Sequence, residues 1–296
     1  MKHPFAITLF MIGFFLLSQA IGLTALAQFI EPGTELETRE LPPGIERPAI
    51  EQQATPWLLL GGILLGTALI FLLIRFKAHR AWSVWFFLAI FILSYITLSA
   101  FFAPWIALFG GMLFGLLKYS AERISWVLAN IPELFIYGGF AILFSPLLSI
   151  TGAIILLLLI SAYDAFAVWR SKHMISLATF QIESGRFAGM NIPLAPGPMR
   201  VESAAAEPAT AEPTGSDEHT APARAILGGG DFAFPILVSG SALITFGAMA
   251  ATFTTLGAAA GLSLLLFFSE KRRFYPAMPF ISAGILIGLG FYALLF

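Results

Sequence analysis

Long apolar runs recur along the whole chain, and they restrict its fold more than any other feature. A run of about 17–25 apolar residues is long enough to cross the hydrocarbon core of a bilayer as a helix. Nine candidate spans follow one another in the sequence: Pro4–Ala27, Thr55–Ile74, Trp82–Phe102, Trp105–Leu117, Ile124–Leu148, Ile150–Trp169, Ala225–Ile244, Phe246–Phe268 and Pro279–Phe296. Charged residues make up 11% of the chain, against roughly 25% in soluble domains. The sequence therefore predicts an all-α polytopic membrane protein with nine transmembrane helices, embedded in the lipid bilayer as a multi-pass integral protein.

The first span has two interpretations. Lys2 precedes it and Ala25, Leu26 and Ala27 end it, a pattern that also fits a cleaved signal peptide. The apolar run is longer than the roughly 7–15 residues of a signal-peptide core. We therefore favour a helix that the mature protein retains.

The limits of spans four and five are the hardest to place. Lys118 and Arg123 indicate a polar turn after span four. Pro132, inside span five, either begins a helix or kinks one, because proline lacks the N–H that a helix interior needs. Glu133 is either buried or, as we favour, near a helix start with its carboxylate at the membrane interface.

The distribution of lysine and arginine predicts the orientation, because these residues are enriched on the cytoplasmic side of membranes. With nine spans and a cytoplasmic N-terminus, 14 of the 16 basic residues face the cytoplasm, and Arg39 and Arg47 lie outside. The C-terminus then lies at the outer surface. We expect the protein in the cell (plasma) membrane.

The chain divides into three parts. An N-terminal membrane part (1–169) holds spans one to six, and a C-terminal membrane part (224–296) holds spans seven to nine. A cytoplasmic loop (170–223) separates them. Within it, residues 204–223 contain no large apolar side chain, so they cannot bury enough surface to offset the entropy of ordering, and we expect a disordered linker there.

Composition excludes several functions. The chain has no cysteine, so disulfides, thiolate catalysis and Cys-ligated metal sites are ruled out. Its four histidines lie near segment ends or in loops, without the spacing of metal ligands, and we expect neither a metal nor another cofactor. The sequence has no basic patch with interleaved aromatic residues, so nucleic acid is not an expected partner.

Two aspartates lie in apolar spans. Asp164 is six residues before Arg170 on span six, and Asp231 is seven residues after Arg224 on span seven. At 1.5 Å per helical residue, both lie about 9–10 Å below the same membrane face. A carboxylate in hydrocarbon costs about 2.5–3.5 kcal/mol on insertion scales, so its presence indicates function. The alternative for Asp231 is a capping role at a helix start.

Neighbouring residues support a site at this depth. Gly228, Gly229 and Gly230 directly precede Asp231, and without Cβ atoms they allow another backbone or a substrate to come close. The segment Pro276–Pro279 begins span nine at the same face, and its prolines cannot continue a regular helix, which leaves backbone groups free to line a cavity.

Paired carboxylates suggest hydrolysis. Like charges held close in a low dielectric cannot both ionise, so the pair is expected to share one proton. The ionised member can take a proton from a water that attacks a peptide carbonyl, while the neutral member stabilises the oxyanion and protonates the leaving amine. Which aspartate has which role stays open, because the titration belongs to the pair.

Three short motifs resemble those of a known family. Tyr163-Asp164, Gly228–Asp231 and Pro276–Met278 are similar to the YD, GxGD and PAL motifs of the presenilin and signal peptide peptidase family, which are nine-helix intramembrane aspartyl proteases. The resemblance follows the order of the spans over essentially the whole chain, and the small size is most like a microbial (archaeal) presenilin homologue. It implies no obligatory accessory subunit and is compatible with a homo-oligomer.

The resemblance also implies roles for individual residues. Asp164 and Asp231 would be catalytic and Tyr163 would flank them. The three glycines, Gly228, Gly229 and Gly230, would admit the substrate, and Pro276, Ala277 and Met278 would shape the floor of the site. Met278 departs from the usual leucine; it has a similar volume and more flexibility, which affects substrate fit more than catalysis.

The function we expect is that of an intramembrane aspartyl endopeptidase, which hydrolyses peptide bonds within or near transmembrane helices of membrane-protein or signal-peptide substrates. A substrate helix must unwind first, and we expect it to pair as a strand with the chain just before Gly228 or near Phe187–Leu194. The alternative is a proton- or cation-coupled transporter or leak channel that uses the same Asp pair, although no inverted repeat supports it.

Overall fold

Helices make up most of the computed structural model, which describes residues 4–30, 39–47, 51–121, 125–171, 187–193, 224–269 and 275–296. The described helices are α1 Phe5–Ala27, α2 Thr55–Arg75, α3 His79–Ser99, α4 Pro104–Ala121, α5 Trp126–Asn130, α6 Glu133–Phe144, α7 Ile150–Phe166, α8 Gly230–Phe246, α9 Ala248–Phe268 and α10 Ala277–Leu295. A 3₁₀ turn (Ser145–Leu147) follows α6, and a π-helical turn (Ala167–Ser171) extends α7. Two short strands, β1 Gly189–Pro193 and β2 Arg224–Gly228, form an antiparallel pair.

Most of these helices have the length and composition of membrane spans. Among the described residues, seven helical stretches qualify: Phe5–Ala27, Thr55–Arg75, His79–Ser99, Trp126–Leu147, Ile150–Arg170, Ala248–Phe268 and Ala277–Leu295. Spans four and seven correspond to shorter helices, α4 with 18 residues and α8 with 17. The prediction of an all-α polytopic membrane protein is therefore confirmed, with helix at each predicted span.

Helix α1 lies inside the bundle, packed against α6, α8 and α9. Met11, Phe15 and Leu26 on this helix are fully buried. Removal of α1 would remove these side chains from the core and leave α6, α8 and α9 without their packing partner. Helix α1 therefore contributes part of the core of the described bundle.

Helices α7, α8 and α10 are mutual neighbours, and α10 packs along its length against α9. Glycines allow the α9–α10 contact: a Cβ added at Gly257, Gly261, Gly284 or Gly288 would overlap a backbone carbonyl of the opposite helix. In lipid, such small residues let backbones approach so that van der Waals contact can hold helices together. This contact fixes where α10 begins relative to α7.

Span seven differs from its prediction. Residues Ala225–Gly228 form most of strand β2, and the helix begins at Gly230. A short apolar run alone does not distinguish strand from helix, and the three consecutive glycines disfavour helix before Asp231. The depth estimate for Asp231 assumed a helical rise from Arg224, and the structure has a strand over Arg224–Gly228 instead.

Span five and the end of span four also differ. Helix α4 continues past Leu117 to Ala121 and buries Lys118, which the sequence placed in a polar turn. Glu133 is fully buried, so its predicted interfacial position was wrong. The two charges lie inside the protein because they form an ion pair of 2.8 Å. Pro132 combines its two predicted roles, since it separates α5 from α6 and caps the start of α6.

Candidate active site

Two carboxylates from neighbouring helices meet at the site. Asp164 lies in the last turn of α7, and Asp231 is the second residue of α8. Both are half-buried, and they lie close enough to interact electrostatically. The structure therefore brings together the two intramembrane aspartates that the sequence singled out.

The start of α10 holds Asp164. The Met278 N–H donates to Asp164 Oδ2 at 3.0 Å, and the backbone of Ala277 contributes a second hydrogen bond. Pro276, buried and extended with φ −65° and ψ 126°, directs the chain into the helix. The first N–H groups of a helix have no partner within it and carry the positive end of its dipole. A carboxylate from α7 thus caps α10, which the sequence did not predict.

Glycines surround Asp231. The backbone of Gly228 makes a hydrogen bond to the carboxylate, and a Cβ at Gly228 would lie 3.5 Å from Asp231 Oδ2. The Gly229 N–H donates to the Ala188 carbonyl at 3.1 Å, and a Cβ at Gly229 would lie 3.3 Å from Tyr137 Oη. Gly229 is the N-cap of α8 and Gly230 its exposed first residue, so Asp231 is not the capping residue.

The residue after Asp231 anchors the start of α8 in the core. Phe232 is fully buried and stacks on the ring of Tyr137, with centroids 4.8 Å apart and planes at 7°. The ring of Phe15 on α1 lies 5.6 Å from the ring of Phe232, centroid to centroid. The Gln19 Nε2 donates to the Phe232 carbonyl at 3.0 Å. These contacts fix the first turn of α8 and, with it, the carboxylate.

The outer edge of β1 is occupied by side chains. The Asn130 amide pairs with the backbone of Asn191, at 2.9 Å to its carbonyl and 3.1 Å from its N–H. The Gly189 N–H donates to Glu133, and the Gly189 carbonyl accepts from Lys118. The backbone N–H and C=O groups of Gly189 and Asn191 therefore point away from β2. These two residues occupy non-hydrogen-bonded positions of the antiparallel ladder.

The register then defines the other edge of the sheet. Gly189 lies opposite Gly228, and Asn191 lies opposite Ile226. Because backbone groups alternate between the two edges of a strand, those of Ile226 and Gly228 face away from β1. Ile226 is 38% exposed, and the Gly228 backbone already reaches Asp231. The edge of β2 that faces away from β1 thus leads directly to the carboxylates.

Several residues of this region were missed from the sequence. Lys118 and Glu133 are charges within apolar segments, the same signal that identified Asp231. Gly189 has φ +129°, a conformation that favours glycine, and no sequence pattern marked it. Of the predicted residues, Tyr163 lies half-buried beside Asp164, and Met278 is 3% exposed beneath it.

These features describe a polytopic membrane protein with a carboxylate on each of two neighbouring helices, one of them after a glycine-rich turn from strand to helix. Residues 63–296 match the family model described as "Signal-peptide peptidase, presenilin aspartyl protease". The chain belongs to this family, and it is an intramembrane aspartic protease, a hydrolase. Nothing in the comparisons supports the transporter alternative.

Solved structures share the fold. Two structures of a presenilin-family intramembrane aspartate protease, in space groups C222 and P2, superpose with TM-scores of 0.58 and 0.59. Sequence identity is 19% and 20%; the matches cover 95% and 97% of this chain and 94% and 97% of the other. None of the curated proteins compared matches the chain.

Proposed function

We propose that Asp164 and Asp231 are the catalytic pair of this protease, and that it cuts peptide bonds within or near transmembrane helices of membrane-protein or signal-peptide substrates. The observation that carries the proposal is that the two carboxylates lie on the packed helices α7 and α8 and are each held by backbone groups of a different segment. Like charges that interact in a low dielectric share one proton, which supplies a base and an acid together.

The pair acts on a water molecule. The ionised carboxylate takes a proton from water as the oxygen attacks the substrate carbonyl carbon, and the neutral one donates a hydrogen bond to the carbonyl oxygen. When the tetrahedral intermediate collapses, the C–N bond breaks and the amine leaves with a proton from the pair. The Met278 N–H orients Asp164 throughout, while Gly228 keeps the backbone next to Asp231 free of side chain.

The substrate binds as an added strand at the edge of β2. Of the two segments that the sequence offered for pairing, β1 already has Asn130, Glu133 and Lys118 on its outer edge. The backbone of Ile226 faces the opposite edge, two residues before Gly228, whose backbone binds Asp231. A substrate that has lost its helical hydrogen bonds replaces part of them there, since an added strand pairs one edge of its main chain with the sheet.

The catalytic proposal is tested by cleavage of a labelled single-span peptide by the purified protein in detergent and in vesicles. Asp164→Ala and Asp231→Ala, each alone, should reduce product to the background while circular dichroism shows an intact fold. A transition-state aspartyl inhibitor should have the same effect on the wild type. Cleavage that survives in either folded variant contradicts the proposal.

Strand addition has its own test. Ile226→Pro removes one N–H from the substrate edge, and that N–H does not belong to the β1–β2 ladder. It should lower cleavage at an unchanged unfolding temperature, whereas Ile226→Leu, the matched control, should cleave like the wild type. Equal activity of the two variants would exclude pairing at Ile226.

The remaining parts of the proposal concern setting and partners. The protein lies in the plasma membrane, with its N-terminus and the loop 170–223 in the cytoplasm. The protease works without accessory subunits. Because the chain has no cysteine, single cysteines report topology directly. A cysteine at Thr214 should react with an impermeant maleimide in inside-out vesicles, and one at Glu40 in right-side-out vesicles. The reverse pattern would invert the orientation.

A further inference from the structure

A buried ion pair lies next to the strands that lead into the site. Lys118, in the last turn of α4, and Glu133, the first residue of α6, approach to 2.8 Å with side chains 1% exposed. Their charges are balanced within the protein. The mechanism above does not use either residue.

Both members of the pair hold the same residue of β1. Glu133 Oε1 accepts from the Gly189 N–H at 3.2 Å, and Lys118 Nζ donates to the Gly189 carbonyl at 3.3 Å. The conformation of Gly189, with φ +129°, leaves no room for a side chain: a Cβ would lie 2.8 Å from the Gly229 nitrogen and would overlap the Leu227 carbonyl. The ion pair therefore binds β1 at Gly189, and Gly189 lies against the turn before Asp231.

A second connection runs through Tyr137. Its hydroxyl donates to Glu133 Oε2, and its ring stacks on Phe232. The same hydroxyl lies next to Gly229, where a Cβ would approach it to 3.3 Å. Gly229, two residues before Asp231, and Phe232, directly after it, therefore both lie beside Tyr137, whose hydroxyl binds Glu133.

Stability alone does not account for these charges. Replacement of a buried ion pair by apolar residues of similar volume is often neutral or stabilising, whereas loss of one partner is strongly destabilising. A pair that binds both backbone groups of one glycine, however, restricts the strand to one position. The geometry of this ion pair is suited to holding strand β1 in place.

We propose that Lys118 and Glu133 are positioning residues, which fix the β1–β2 pair against Asp231 and thereby set which peptide bond of the substrate is cut. The proposal rests on the proposed function, because it requires an extended substrate beside β2. If the strands shift relative to the carboxylates, the bound substrate shifts with them, and a neighbouring peptide bond enters the site.

The test compares product ratios in full-length variants, with products of a labelled single-span peptide identified by mass spectrometry. Lys118→Met and Glu133→Gln, each alone, should unfold at lower temperature than the wild type. The double variant should regain much of that loss, because it leaves no unpaired charge. Its ratio of products from adjacent bonds should still change by roughly two- to tenfold, as the loss of about one hydrogen bond to the backbone implies.

A matched control separates positioning from folding. Thr255 Oγ1 donates to Ser239 Oγ at 3.1 Å in a buried contact between α8 and α9, away from the strands. Thr255→Val should lower stability and total product without a change in the product ratio, because fewer folded molecules yield less of every product equally.

A milder variant keeps the proposal testable if the double variant does not fold. Tyr137→Phe retains the ring on Phe232 and loses the contact with Glu133, so the product ratio should change in the same direction. A wild-type ratio in the folded double variant, or in Tyr137→Phe, overturns the positioning role while cleavage itself persists. Failure of the proposed function is distinct, because the wild type would then give no inhibitor-sensitive product at all.

Discussion

Gly284 offers a sharp test of how helix packing supports the site. A Cβ at this position on α10 would overlap the Gly257 carbonyl oxygen on α9 and would lie 2.9 Å from the carbonyl carbon and 3.0 Å from the Gly261 nitrogen. Backbone atoms cannot turn aside as side chains do, so Gly284→Ala must push the two helices apart. Overpacking of this kind costs about 1–3 kcal/mol.

Gly290, on the same helix, provides the matched control. Within the part of the chain that the structure describes, no atom lies within 4 Å of a Cβ built there. Alanine is favoured over glycine in a helix by about 1 kcal/mol, and this gain is common to both variants. The difference between Gly284→Ala and Gly290→Ala therefore isolates the clash, at about 1–3 kcal/mol, or several degrees at roughly 2–4 °C per kcal/mol.

The displacement of α10 should also affect peptide cleavage. Helix α10 starts at Ala277, and the Met278 N–H holds Asp164 at 3.0 Å, so a shift of the helix withdraws that donor. We expect lower kcat for peptide cleavage by Gly284→Ala and wild-type kcat for Gly290→Ala, with unfolding followed by tryptophan fluorescence. Equal unfolding temperatures and equal rates in the two variants would refute the packing argument.

Three further changes test single contacts, each by thermal unfolding beside the wild type. Ser149→Ala removes the side chain that accepts from the Gly152 N–H at 3.1 Å at the start of α7; we expect a loss of about 1 kcal/mol, and Ser149→Thr should retain most of it. Asn130→Ala removes two hydrogen bonds to Asn191 and should cost about 1 kcal/mol for each, with faster deuterium uptake at Asn191; unchanged uptake would contradict the edge contact. Lys77→Gly should stabilise by about 1 kcal/mol, because Lys77 has φ 50°, a left-handed conformation that costs other residues about that amount; destabilisation would show that its side chain matters more.

The helical bundle could be predicted because the bilayer imposes one length on every apolar span. The pair Asp164 and Asp231 could be predicted because a charge in an apolar run is conspicuous. The pairing of Ala225–Gly228 with β1 could not, since its apolar residues fit either strand or helix and β1 lies far away in sequence. The capping of α10 by the Asp164 carboxylate depends on tertiary packing alone.

Glu133 shows that a charge within an apolar segment indicates a buried, functional group even where a helix start is near. This rule identified Asp231 as functional, yet an interfacial position was preferred for Glu133 because of the nearby Pro132. A helix start is solvated only when it reaches the surface, and α6 starts inside the protein, next to Lys118. A lysine in the last turn of an apolar helix was the available partner in the sequence.

The pair Lys118 and Glu133 joins opposite charges, whereas the pair Asp164 and Asp231 joins two carboxyl groups. Glu133 pairs with the ammonium group of Lys118 at 2.8 Å, and this charge-assisted contact suits a residue that holds Gly189 in one position. Asp164 is held by neutral N–H groups at the start of α10 and faces another carboxylate. Such donors orient the group but carry no full positive charge, so a proton can still move to and from the pair, as the proposed mechanism requires. A lysine beside Asp231 would remove that freedom, and the fold keeps Lys118 engaged with Glu133 instead.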